Sequence, residues 1–144
     1  MAIRIVNPPS ATNIENAVYK WMDLLAEGKY EEAYDFTTHD PYYQWTPALM
    51  ESVINGYGLP LEEGATEIFK VTKRETTEAD GSKIYKDIEY FDTPYQHETP
   101  GFMVIGYTWF DLPLNNKWSD LTAVMNILQS EEYITLELNE IHVM

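Results

Sequence analysis

The hydrophobic pattern changes period once along this chain, and that change limits the folds open to it. Up to about residue 60 the apolar residues recur every three or four positions; from the middle of the chain onward they tend to alternate. The first spacing puts side chains on one face of a helix, and the second puts them on one face of a strand. Helices therefore come first and strands follow. Segregation of this kind predicts an α+β fold and not a parallel βαβ arrangement.

In the helical half, Ile14, Ala17, Val18, Trp21, Leu24 and Leu25 form one stripe. Thr12 or Asn13 is the expected N-cap, with Glu15 in the first turn, where the helix dipole favours a carboxylate. Gly28 is the expected C-cap residue. Lys29 opens a second, short helix with Tyr30, Ala33, Tyr34 and Phe36 or Thr37 on one face, and His39-Asp40-Pro41 breaks it. Thr46-Pro47 reads as the start of a third helix, because threonine caps free N–H groups and proline at the first position forfeits none. Gly56 or Gly58 ends it.

In the second half, Glu67–Thr76 and Lys83–Phe91 are predicted strands joined at Asp80-Gly81, a strong hairpin signal. The run DTPYQHETPG is expected to be a polar loop. Phe102–Asp111 is apolar on both faces and is expected to be central. LPLNNKWS reads as a further loop before Asp120–Gln129, and a turn near Ser130-Glu131 leads to Tyr133–Val143. In this last strand the alternation slips toward Ile141 and Val143, which predicts a bulge. The expected architecture is three N-terminal helices packed on a curved, mostly antiparallel sheet of about five strands. At 144 residues it fits a single domain spanning residues 1–144.

With no cysteine, the chain has no disulfides, thiolate metal sites or cysteine nucleophiles. His39, His97 and His142 are far apart, and no HxH or HxxxH pair occurs, so no metal and no cofactor is expected. The start, MAIRIVNPPSATN, lacks the apolar core of a secretory signal. Gly101–Phe110 is too short to span a bilayer. A cytoplasmic location is expected. The formal net charge is −15, and the nine basic residues are scattered. Nucleic acid and anionic membranes are therefore excluded as partners. The plain meaning of such acidity is solubility; the sharper one is steering toward a basic protein.

The run AVYKWMDLLAEGKYEEAYDFTTHD (Ala17–Asp40) resembles the opening of the NTF2-like, or cystatin-like cone, superfamily. Gly28, Lys29, Tyr30, Glu31, Ala33 and Tyr34 match its turn between the first two helices. WTPALMESVINGYG and the closing SDLTAVMNILQSEEYITLELNEIHVM extend the resemblance over most of the chain. It implies a cone-shaped space between sheet and helices. Some members are isomerases, dehydratases or epoxide hydrolases; many only bind or dimerise, and one group resembles toxin-neutralising immunity proteins. Fold does not choose among these.

Enzymes of this superfamily use carboxylates, tyrosines or histidines that project into the cone. Candidates here are Asp87, Tyr85, Tyr107, Trp109, Asp111, Asp120 and His142. Asp87 stands out because Ile84, Ile88 and Tyr90 surround it with apolar residues, and a carboxylate in an apolar pocket can serve as a base. The plainer reading is that Tyr85, Asp87 and Glu89 form the solvent face of a half-exposed strand. His39 beside Asp40 is the minimal acid–base unit, near Tyr42 and Tyr43; as a helix stop and turn it needs no function. His142 fits a partly buried, hydrogen-bonded role. The aromatic residues are numerous, with eleven tyrosines and four tryptophans. Tyr42, Tyr43, Trp45, Tyr57, Tyr95 and Trp118 fall in predicted loops, where such rings suit a protein interface. The sequence thus favours a non-catalytic binding protein, such as an immunity-type inhibitor of a basic partner. The alternative is an enzyme or carrier holding a small apolar ligand in the cone. A homodimer through the open sheet face fits both.

Overall fold

The computed structural model describes residues 2–74 and 85–143. A two-residue strand, β1 (Ile5–Val6), precedes α1 (Ala11–Ala26). Then come α2 (Tyr30–Phe36), a second two-residue strand β2 (Thr38–His39) and α3 (Pro47–Asn55). Four long strands complete the chain: β3 (Lys86–Gln96), β4 (Met103–Leu114), β5 (Lys117–Gln129) and β6 (Tyr133–Val143). The sheet order is β1-β6-β5-β4-β3, with β2 also on β6. All pairings are antiparallel except β2–β6, where Thr38 and His39 lie in parallel register with Glu137 and Leu138. The fold is thus α+β, with six strands where about five were expected.

Each helix end has a local cause. The Ser10 hydroxyl accepts the Asn13 N–H at 3.1 Å. Ser10, and not Thr12 or Asn13, is therefore the cap, and Glu15 falls beyond the first turn. Gly28 takes a φ of +74°, and the N–H groups of Gly28 and Lys29 return to the carbonyls of Leu25 and Leu24. That is a glycine-terminated helix end, and it lets α2 begin at once. The Thr46 hydroxyl accepts the Leu49 N–H at 3.0 Å with Pro47 at the first turn, as the sequence predicts.

The strand half departs further from expectation. Over residues 67–74 there is no strand; Val71 makes a single bridge to Leu114. The rest of the expected Glu67–Thr76 strand, the Asp80-Gly81 hairpin and the start at Lys83 lie outside the described residues. The expected loop from Asp92 is strand as far as Gln96, because β3 is an edge strand. A register break between Tyr90 and Tyr95 absorbs Pro94 where no donor is needed. The expected loop LPLNNKWS is a hairpin. Asn115 and Asn116 have φ of 50° and 67°, and the left-handed pair joins Leu114 directly to Lys117. The expected slip in β6 is present: Val124 pairs with Glu140 and Met125 with Leu138, leaving Asn139 as the extra residue. Its carbonyl accepts the Trp45 indole N–H at 2.9 Å.

One core joins helix and strand residues. Trp21, Met22, Leu25, Met50, Ile54, Phe110 and Met125 are all under 2% exposed. Tyr19 of α1 meets Phe110 of β4 edge to face, with ring centroids 5.6 Å apart. From β4 to β6 the core takes Phe110, Leu112, Leu121, Ala123, Met125, Ile127, Leu136 and Leu138. Their alternate neighbours point to the other face of the sheet.

Gly106 sits at the β4 register break, and a Cβ there would collide with the Glu89 carbonyl oxygen. Gly106→Ala should push β3 off β4 and cost about 1–3 kcal/mol. Urea unfolding should show this as a lower midpoint at unchanged slope, and an unchanged midpoint would refute it.

Candidate functional site

The sheet face turned from the core carries Trp109 opposite Asp87 and Tyr107 opposite Glu89. Five rings follow one another along it: Tyr85, Trp109, Tyr107, Phe91 and Tyr95, with successive centroids 5.8–6.2 Å apart. Tyr85 and Tyr95 are 51% and 54% exposed. The row is an outcome of the strand period: residues 85, 107 and 109 must share a face once β3 and β4 pair in this register. Phe91 and Tyr95 join because the strand extends past the expected loop boundary.

Two carboxylates flank this row. Asp87 raises the pKa of the Glu89 carboxyl above its ordinary value, first by hydrogen bonding and then by charge. Burial, then Glu89 and Asp87, raise the Tyr107 phenol. Among the described residues neither carboxylate pairs with a lysine or arginine. The nearest basic residue of the strand, Lys86, points the other way, to Glu15 at 3.2 Å and the Tyr19 hydroxyl at 2.9 Å. Asp87 is half-buried beside Trp109 rather than enclosed in an apolar pocket, and Glu89 is exposed. The arrangement presents negative charge and flat apolar rings together.

The other predicted residues are dispersed. His39 lies on β2 and not in a loop. Its Nε2 is 2.6 Å from the Tyr34 carbonyl oxygen, and its ring stacks on Tyr34 at 3.8 Å. Burial lowers its pKa below the ordinary value, which leaves the ring neutral at pH 7. Asp40 accepts the Tyr42 N–H at 2.9 Å, so the two neighbours serve different partners and form no acid–base unit. Tyr42 is exposed and packs edge to face on Tyr43, whose hydroxyl donates to Glu140 at 3.1 Å. Trp45 is buried against β6. Asp111 accepts from the Thr122 hydroxyl and the Tyr85 N–H, and burial raises its pKa. Asp120 accepts the Tyr57 hydroxyl, Trp118 packs against the core, and His142 is 2.8 Å from Glu140.

A second group was not singled out from the sequence. Glu137, 4% exposed, projects from β6 on the face away from the core. Its carboxylate accepts from His97 Nε2 at 2.7 Å and Asn126 Nδ2 at 3.0 Å. Two clefts, of about 260 and 170 Å³, adjoin it and share Pro41, His97, Glu98 and Glu137. In ITLELNE the alternation marks Glu137 as outward and hence solvated. Among the described residues, the turn after β3 and the chain after β2 fold over β6 and help enclose it.

Among the described residues, no three carboxylates or imidazoles converge as metal ligands, and no helix is long and apolar enough to cross a membrane. No protein-family model, curated protein or solved structure matches this chain.

A carboxyl whose pKa is raised by folding stabilises the fold below its unfolded pKa. That contribution is lost as pH rises through the folded value. In Asp87→Asn the cause is removed, so the Glu89 carboxyl should titrate at lower pH than in the parent chain. Carboxyl-detected NMR titration would measure this, and an unmoved Glu89 curve would show that the pair does not interact.

Proposed function

We propose that this chain is an NTF2-like domain, its helices covering one face of a curved sheet, and that it acts by binding a basic protein and not by catalysis. The observation that carries this reading is the Asp87–Glu89 pair, without a lysine or arginine partner among the described residues, set in a row of five aromatic rings on the sheet face turned from the core. Carboxylates give register and encounter rate, while tyrosine and tryptophan rings give contact area at low entropic cost. The net charge of −15 extends the field beyond the patch. An immunity-type inhibitor of a basic toxin is one role that matches these properties.

The catalytic alternative has weaker support. Trp21, Met22, Phe110 and Met125 occupy the layer between helices and sheet, where a ligand in the cone would have to sit. The Nε2 of His39 and a carboxylate oxygen of Asp40 are already engaged by backbone groups. A homodimer through the sheet face would set two copies of the same acidic patch against each other, a like-charge arrangement that costs affinity.

Pull-down from the native lysate with the parent chain should retain a protein of high pI that 0.5 M salt releases, a concentration at which the Debye length falls to roughly 4 Å. The double variant Asp87→Lys/Glu89→Lys should lose it, and Tyr107→Ala/Trp109→Ala should weaken it by tenfold or more. Once the partner is purified, its on-rate should fall about 10–1000-fold between low and high salt. Equal recovery of every retained protein by the parent and the charge-reversed chain would overturn the proposal.

A further inference from the structure

We propose that the cleft beside Glu137 is a binding site for an alkylammonium or alkylguanidinium group, with the Glu137 carboxylate as its counter-ion. The site is distinct from the aromatic row, and the inference stands whether or not the partner reading does.

The protonation state of His97 follows from its contacts. Its Nδ1 accepts the Thr99 backbone N–H at 3.0 Å, so that nitrogen carries no proton. The ring proton is therefore on Nε2, which donates to Glu137 Oε2 at 2.7 Å. His97 is then the neutral tautomer. The other carboxylate oxygen accepts from the neutral Asn126 amide at 3.0 Å. Glu137 is thus held by two dipoles and, among the described residues, by no full positive charge, although it is 96% buried by its 4% exposure. A buried charge without an opposite charge is expensive, and a cation that reaches it is correspondingly favoured.

The surroundings suit an organic cation. Among the described residues, no lysine or arginine lines either cleft. Phe102, Leu128 and Pro41 supply apolar wall to the larger one, enough for a short alkyl stem, while the charged end meets Glu137. At about 260 Å³ it lies below the 300–1,000 Å³ range of sites for drug-sized ligands. That limits the occupant to a small amine or the end of one side chain. The walls are held in place beforehand. Gln96 Nε2 donates to the carbonyls of His97 and Phe102, and the His97 N–H donates to the Phe102 carbonyl at 3.0 Å. A metal ion is the poorer occupant, since no three ligating groups converge among the described residues.

The probe is n-butylammonium chloride, titrated into the full chain and followed by amide NMR, with n-butanol as the uncharged control and n-butylguanidinium as a second cation. Saturable shifts at His97, Asn126 and Glu137, with a dissociation constant on the order of 1 mM for so small a ligand, are expected for a cation and not for butanol. Glu137→Gln keeps the shape and should weaken binding at least tenfold. Thr99→Trp leaves the backbone bond to His97 in place, blocks the exposed mouth and should do the same; it decides the matter if the glutamine variant does not fold. N-acetyl-lysine amide separates the sources. Binding as tight as that of butylammonium assigns the cleft to a basic side chain of a protein, and binding of the free amines alone assigns it to a small-molecule amine. No saturable shift with either cation, an equal response to butanol, or undiminished binding in folded Glu137→Gln would overturn the proposal.

Discussion

The pairing of Thr38 and His39 with Glu137 and Leu138 is the junction on which much of this structure depends. It is short, yet it crosses about 98 residues of sequence through bonds such as Thr38 Oγ1 to the Leu136 carbonyl. The Asp40 N–H donates to Leu138 nearby at 2.9 Å. These bonds set α2 and the segment before α3 at a fixed height on β6. Trp45 then meets the carbonyl of bulge residue Asn139. The segment after β2 also overhangs Glu137, so the same few backbone bonds that dock the helical half help bury a carboxylate.

Charge is resolved differently in three parts of the molecule. At the helix–sheet edge, Lys86 is satisfied by Glu15 and the Tyr19 hydroxyl. Along the outer sheet face, Asp87 raises the pKa of Glu89, and among the described residues neither pairs with a lysine or arginine. Beneath the turn after β3, Glu137 is held by His97 and Asn126, and among the described residues by no full positive charge. Acidity spread over the chain thus becomes, in three dimensions, two local demands of unlike kind, one exposed and aromatic, one enclosed and small.

Much of the fold was legible in sequence because period is a local property. The α1 stripe, the Thr46-Pro47 start and the bulge in β6 all follow from neighbouring residues. The errors share a cause as well. Pro94 and Asn115-Asn116 look like loop chemistry, yet an edge strand tolerates proline and a two-residue hairpin uses left-handed asparagines. Ser10, Thr12 and Asn13 have similar capping chemistry, and which of them caps depends on where the chain leaves its extended path. The candidate site was legible only in part. The residue types of Tyr85, Asp87, Tyr107 and Trp109 are visible in the sequence, but their continuity with Phe91 and Tyr95 depends on the β3–β4 register.

By itself the sequence determined an acidic chain whose three helices precede the four long strands of the sheet, without thiols or paired histidines, because composition and periodicity need no partner to be read; the short β1 and β2 that interleave with the helices carry no such period. Only the tertiary structure decided which polar groups share space. His39 and Asp40 are adjacent in the chain and serve different partners, whereas His97, Asn126 and Glu137 are far apart in it and form one network. The reason is geometric. Strand pairing joins residues by register and not by sequence distance, and burial depends on what folds over a strand, which the strand's own alternation does not encode.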